Sequence, residues 1–131
     1  MILLDTHVLL WWMNGDRGLL SSDAIAAIEA ELSGGEIAIS SNSAWEIAML
    51  MAGGRLALWM DVSAWIAVAQ EIEAVKFIPV DQEIGVKSVG LLGAFHKGSA
   101  DRIVAIARKL GTPVITADEK IRAYPHVRSI W

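Results

Sequence analysis

The chain has 131 residues, too few for two ordinary domains and enough for one with its own core. It contains no cysteine, which excludes disulfide scaffolds, thiol catalysis and thiolate metal sites. Its net charge of −4 makes it a poor non-specific binder of nucleic acid, although the charge is uneven. Residues 1–86 carry 3 basic and 12 acidic side chains, whereas residues 87–131 carry 8 basic and 3 acidic. A local phosphate-binding surface in the second part therefore remains open.

Hydrophobic residues make up 54% of the chain, and the mean hydropathy is +0.45. The longest uncharged stretches, among them residues 6–15, 37–45 and 62–70, are about half a membrane span or less. Asp5 interrupts the first apolar segment, so no secretory signal is expected. The expectation is a soluble, cytoplasmic protein whose surplus apolar surface enters a subunit or partner interface. No repeat or linker divides it, so residues 1–131 are expected to form one domain.

In chain order, residues 2–4 read as a short strand ending at Asp5, and residues 8–13 as a helix apolar on every side, buried or at an interface. Residues 22–32 predict a helix stopped by Gly34-Gly35. A strand follows at 37–39, then helices at 43–51 and 62–75. Residues 77–80 predict a strand, 81–89 a helix and 99–110 a helix stopped by Gly111. The chain closes with a strand at 114–115, a short helix at 118–123 and a strand at 127–130. This alternation predicts an α/β fold, a short parallel sheet flanked by helices on both faces. Such sheets place their sites beyond the carboxyl ends of the strands.

Four carboxylates fall there. Asp5 follows the first strand, Glu46 is expected in the first turn of the helix after the second, Asp101 opens a helix, and Asp118 follows the strand at 114–115. Mg²⁺ and Mn²⁺ prefer oxygen ligands, and phosphodiester hydrolysis uses such ions to bind the phosphate, activate water and stabilise the leaving oxygen. Plainer roles compete. Ser43-Ala44-Trp45-Glu46 has the form of a capping box, as does Thr116-Ala117-Asp118-Glu119, and Asp101 suits a helix N-terminus. Asp5 resists that reading, because a lone carboxylate at the end of an apolar strand is costly.

Leu3-Leu4-Asp5-Thr6-His7, Ser40-x-x-Ser43-x-Trp45-Glu46-Ile47, Gly54-Arg55-Leu56, Ala100-Asp101-Arg102 and Thr116-Ala117-Asp118 occur in order across nearly the whole chain. Together they resemble the PIN domain, and within it the VapC-type ribonuclease toxins. The resemblance implies a metal-dependent endoribonuclease using Mg²⁺ or Mn²⁺. It assigns the acidic quartet to Asp5, Glu46, Asp101 and Asp118 as catalytic and metal-binding residues. Thr6, Ser43 and Thr116 would then support the quartet through hydrogen bonds. It further implies an RNA substrate, a VapB-type antitoxin and a homodimer. Gly98-Ser99 departs from the Asp-Pro that such relatives usually carry there, which loosens the helix start or weakens a supporting contact.

Other residues leave alternatives open. Ser40 and Ser43 could orient Glu46, or Ser43 could simply cap a helix. Arg102 could bind a substrate phosphate or pair with a carboxylate. Lys97, Arg108, Lys109 and Lys120 could line an RNA path or a solvated face. His7 and His96 lack partners at ligand spacing and read as structural. Trp11, Trp12, Trp59 and Trp65 read as packing or interface residues. The competing function is a PIN-like module that binds RNA or a partner without cleaving. A haloacid-dehalogenase-like phosphatase would need a second Asp after Asp5, and a receiver domain an acidic pair near the first strand; neither is present.

Overall fold

The structure, a computed structural model, describes residues 1–93, 95 and 98–131. His96 and Lys97 lie outside the described residues. The elements run β1 (Ile2–Leu4), α1 (Thr6–Met13), α2 (Ser22–Leu32), β2 (Ile37–Ser40), α3 (Ser41–Ala52), α4 (Val62–Glu71), β3 (Val75–Ile78), α5 (Gln82–Val89), α6 (Ser99–Leu110), β4 (Val114–Ile115), α7 (Glu119–Ala123) and β5 (Ser129–Ile130). A single 3₁₀ turn, Arg17–Leu19, joins α1 to α2.

The five strands pair in the order β3-β2-β1-β4-β5, and every pair is parallel. Alternation along each strand feeds two separate cores. Ile2, Leu4, Ile37, Ile39, Val75 and Ile115 point to one face, where they meet Val8, Leu9, Ile28, Ile47 and Trp65 from α1 to α4. Leu3, Ala38 and Val114 point to the other, against Ile84, Ile103, Ile106 and Ile121 from α5 to α7. Both faces are covered, as parallel sheets require, so the expected fold class holds.

The order also locates the crevice. From β1 the chain moves outward through β2 to β3 over one face, then returns to pair β4 on the far side of β1 over the other. The direction reverses between β1 and β4, the topological switch point of an open α/β sheet. Asp5 leaves β1 and Thr116 leaves β4 at that gap, where the Asp5 N–H still donates to the Ile115 carbonyl at 3.1 Å.

Several expected boundaries move. The helix expected at 62–75 stops at Glu71, and Val75 begins β3 opposite Ile37. Val75 is branched and buried, and the pairing with β2 outweighs continuation of the helix. The strand expected at 77–80 shifts accordingly, leaving Pro79 outside the ladder. The strand expected at 127–130 shortens to Ser129–Ile130. The all-apolar helix is no free interface: Val8, Leu9 and Leu10 are buried in the protein's own core, and Trp11, Trp12 and Met13 pack against it. Trp65 is core as well, and its indole N–H donates to Asn14 Oδ1 at 3.1 Å. Trp59 is 77% exposed, which removes the core-packing role for that side chain.

No helix among the described residues is long and apolar enough to cross a membrane.

Candidate active site at the switch point

Asp5 occupies the N-cap of α1, and its Oδ1 accepts from the Thr6 N–H at 2.8 Å. Its Oδ2 accepts from the Thr116 hydroxyl at 2.7 Å, and the same Thr116 oxygen accepts from the Asp118 N–H at 3.0 Å. One hydroxyl thus ties the ends of β1 and β4 together. Burial pushes the Asp5 carboxyl above its ordinary value; the Thr116 and Thr6 hydrogen bonds and nearby His7 oppose that rise, and the charge of Asp118 adds to it. Two carboxylates therefore face one another across the switch point, and one of them is held in a poorly solvated place. Asp118 is also the N-cap of α7, accepting from the Lys120 and Ile121 N–H groups at 2.8 and 3.3 Å. The capping box expected at Thr116 does not form; Asp118 itself is the cap.

Glu46 is placed from a different element. The expected capping box at Ser43 fails too, because α3 starts earlier: Ser40, fully buried, is the cap and accepts from the Asn42 N–H at 3.1 Å. Glu46 therefore lies in the second turn rather than the first, and Ser43 is freed for another bond. The Thr6 hydroxyl donates to Glu46 Oε2 at 2.9 Å and lies 2.8 Å from Ser43 Oγ, both hydroxyls being buried. Thr6 joins α1 to α3, as Thr116 joins β4 to β1.

Ser99 completes the frame. Its hydroxyl donates to Glu46 Oε1 at 3.3 Å, so each oxygen of Glu46 accepts one hydroxyl. The preceding Gly98 adopts φ 57° and ψ −122°, a conformation that side-chain-bearing residues avoid, and supplies no side-chain cap to α6. The departure at Gly98-Ser99 thus does leave the helix start uncapped, while bringing a hydroxyl to the site that a proline could not. Sequence reasoning gave Ser99 no role. The signal was its position two residues before Asp101, which a helix start turns toward the same edge.

Asp101 sits half-buried in the first turn of α6, and its N–H donates to the Gly98 carbonyl at 3.2 Å. Arg102 is half-buried beside it and forms no ion pair among the described residues. Exposed His7 lies against Trp11, with ring centroids 6.0 Å apart. Among the described residues no group of three or more His, Asp or Glu side chains is placed to hold a metal ion. The donors nevertheless suit a hard cation. Asp5 and Asp118 are mutually repelling carboxylates, and Glu46 is linked to Asp5 through Thr6, whose N–H serves Asp5 and whose hydroxyl serves Glu46.

The PIN domain family model matches residues 2–127. Ribonuclease VapC22 of Mycobacterium tuberculosis (strain ATCC 25618 / H37Rv) is 31% identical over 130 residues, spanning 98% of this chain and 95% of that protein. Two solved structures share the fold. One is VapBC2 from Rickettsia felis bound to a DNA fragment from its promoter, with a TM-score of 0.69, 15% identity and coverage of 98% of this chain and 97% of that one. The other is a toxin-antitoxin complex from Klebsiella pneumoniae, with a TM-score of 0.65, 21% identity and coverage of 97% and 95%.

Proposed function

Because this chain belongs to the PIN domain family, we propose that it is a divalent-metal-dependent endoribonuclease and the toxin of a VapBC-type pair. The carrying observation is the half-buried, poorly solvated Asp5 carboxylate at the switch point, fixed by Thr116 and repelled by the charge of Asp118. Asp5, Asp101 and Asp118 would bind Mg²⁺ or Mn²⁺, with Glu46 either binding or orienting water. When bound, the ion supplies positive charge to the scissile phosphate and makes a water acidic enough to attack at neutral pH.

The protein's own groups do the positioning. Thr116 and the Thr6 N–H each hold one Asp5 oxygen, leaving a lone pair on both for an ion. Thr6 and Ser99 hold Glu46 in one orientation, with Ser43 backing Thr6. A carboxylate fixed in this way accepts a proton from water without first reorganising. Arg102 offers a fork of donors for a non-bridging phosphate oxygen. The partners proposed with this activity are RNA, a VapB-type antitoxin and a second copy of the chain. An acidic crevice without RNA attracts an arginine or lysine, and the antitoxin would use one to block it.

The deciding experiment is a metal titration of RNA cleavage by the purified, antitoxin-free protein. Chelation should abolish cleavage, and Mg²⁺ or Mn²⁺ should restore it. Thr116→Val should lower activity by about 10- to 100-fold, the usual effect of removing a group that orients a metal ligand. Cleavage that survives chelation would overturn the reading. The alternative of a non-cleaving binding module would follow from loss of a quartet member, and all four are present.

A further inference from the structure

At the opposite edge of the sheet, where β4 and β5 begin, an open cleft of about 660 Å³ is lined by Arg108, Thr112, Pro113, His126 and Arg128 among others, with no acidic side chain in its wall. Its shape is fixed from two sides. Arg108 donates to the His126 carbonyl at 3.0 Å, holding the loop before β5 against the end of α6. The His126 ring packs edge-on against Tyr124 at 5.2 Å, and the Tyr124 hydroxyl is anchored on the Leu92 carbonyl. Arg128 is exposed and forms no ion pair among the described residues.

The cleft is joined to the carboxylates by α7. That helix, Glu119–Ala123, is capped by Asp118 at one end and Tyr124 at the other, and its five residues run about 7.5 Å. Lys120 and Arg122 are exposed along it. All these cations belong to the basic portion of a chain whose net charge is negative. A patch that opposes the overall charge and carries one arginine at the end of α6 and another on the loop it holds suits phosphate groups, which arginine can grip with paired N–H donors.

We propose that this cleft is a second subsite for the phosphodiester backbone of single-stranded RNA, reached from the cleavage edge along α7. The inference rests on the ribonuclease reading and adds where the strand goes once it leaves the carboxylates. It gives a role to Arg108 and Arg128, which line the cleft away from the carboxylates.

The test compares cleavage of a dinucleotide, whose single phosphodiester is the one cut and which is too short to follow α7, with cleavage of an oligonucleotide long enough to reach the cleft. Arg128→Gln changes an exposed side chain and spares the Arg108–His126 contact. For the long RNA its KM should rise on the order of fivefold at 0.1 M salt, and the log–log salt dependence should become shallower by about 0.7. The kcat should hold, the dinucleotide should be nearly unaffected, and Arg128→Lys should restore most of the loss. An equal effect on both RNAs, or none on the long one, overturns the subsite while leaving the ribonuclease standing. A parent protein that cleaves neither RNA overturns both.

Discussion

The hydroxyls of Thr6, Ser99 and Thr116 hold the carboxylates of Glu46 and Asp5. Ser99→Ala removes one donor from Glu46 and should lower kcat by about fivefold, the worth of roughly 1 kcal/mol for one hydrogen bond, with little loss of stability. Ser99→Thr keeps the hydroxyl and should rescue it; steady-state kinetics on the two variants decide. Asp5 carries a different signature, because burial raises its carboxyl above the ordinary range. A raised acid favours the folded state when protonated, and that advantage is lost as pH climbs through the folded value. The metal-free protein should therefore melt higher as Asp5→Asn than as the parent at neutral pH. The gap should close as pH falls toward the ordinary aspartate range, about 4. The same substitution should cut cleavage by at least about a hundredfold. Thermal melts with and without Mg²⁺ check both signs. Asp5 was legible in the sequence because a carboxylate ending an apolar strand is costly. That it also caps α1, a structural role set aside on sequence grounds, emerges only from the structure. Ser99 was not, since its value depends on Glu46, which is 53 residues away in the chain.

Among the elements, α6 was the plainest in sequence, its apolar positions recurring at helical spacing up to Gly111. That glycine adopts φ 63°, and a Cβ there would meet nothing, so Gly111→Ala should cost only the left-handed backbone penalty, about 1–2 kcal/mol. Denaturant unfolding measures it. The end of α4 was illegible for a physical reason. Residues 62–75 are apolar at intervals that suit a helix, and only the ladder formed with β2 makes Val75 a strand residue. The start of α3 was equally ambiguous, because Ser40, Ser41, Asn42 and Ser43 are all good caps and burial chose the first. Helices α5 and α6 are clamped by Glu83, which meets Lys109 at 2.7 Å and Lys87 at 2.9 Å. The Lys109 hydrogen bond, then that of Lys87, holds the Glu83 carboxyl at about 2. A depressed acid stabilises the fold above its unfolded value and loses that contribution as pH falls through the folded one, here between about 4.5 and 2. These groups are exposed, so solvent screens the effect. Glu83→Gln should lower Tm slightly at neutral pH and low salt, and the difference should vanish near pH 2 or in high salt.

At the scale of the whole molecule, the proposed homodimer must use surface other than α1, whose apolar residues serve the internal core. Trp45, Trp59, Val86 and Val89 are among the large apolar side chains left exposed, between 58% and 77%. Light scattering of the free protein at micromolar concentration should give twice the 14.2 kDa chain mass; a clean monomer would count against the dimer. The reversal of direction between β1 and β4 has another consequence, for how the chain could be divided. Everything up to β3 builds one side of the switch point and carries Asp5 and Glu46; everything after it builds the other and carries Asp101 and Asp118. A cut in the segment between β3 and α5 would leave each fragment with half of the proposed acidic quartet. The fragments would carry opposite net charges, negative in the first and positive in the second. The second holds only β4 and β5, two residues each, and needs β1 as the template on which to form a sheet. Neither fragment should cleave RNA alone, and mixing them should restore activity at a rate that rises with concentration. The molecule would then behave as a two-part switch whose toxicity reports that its halves have met.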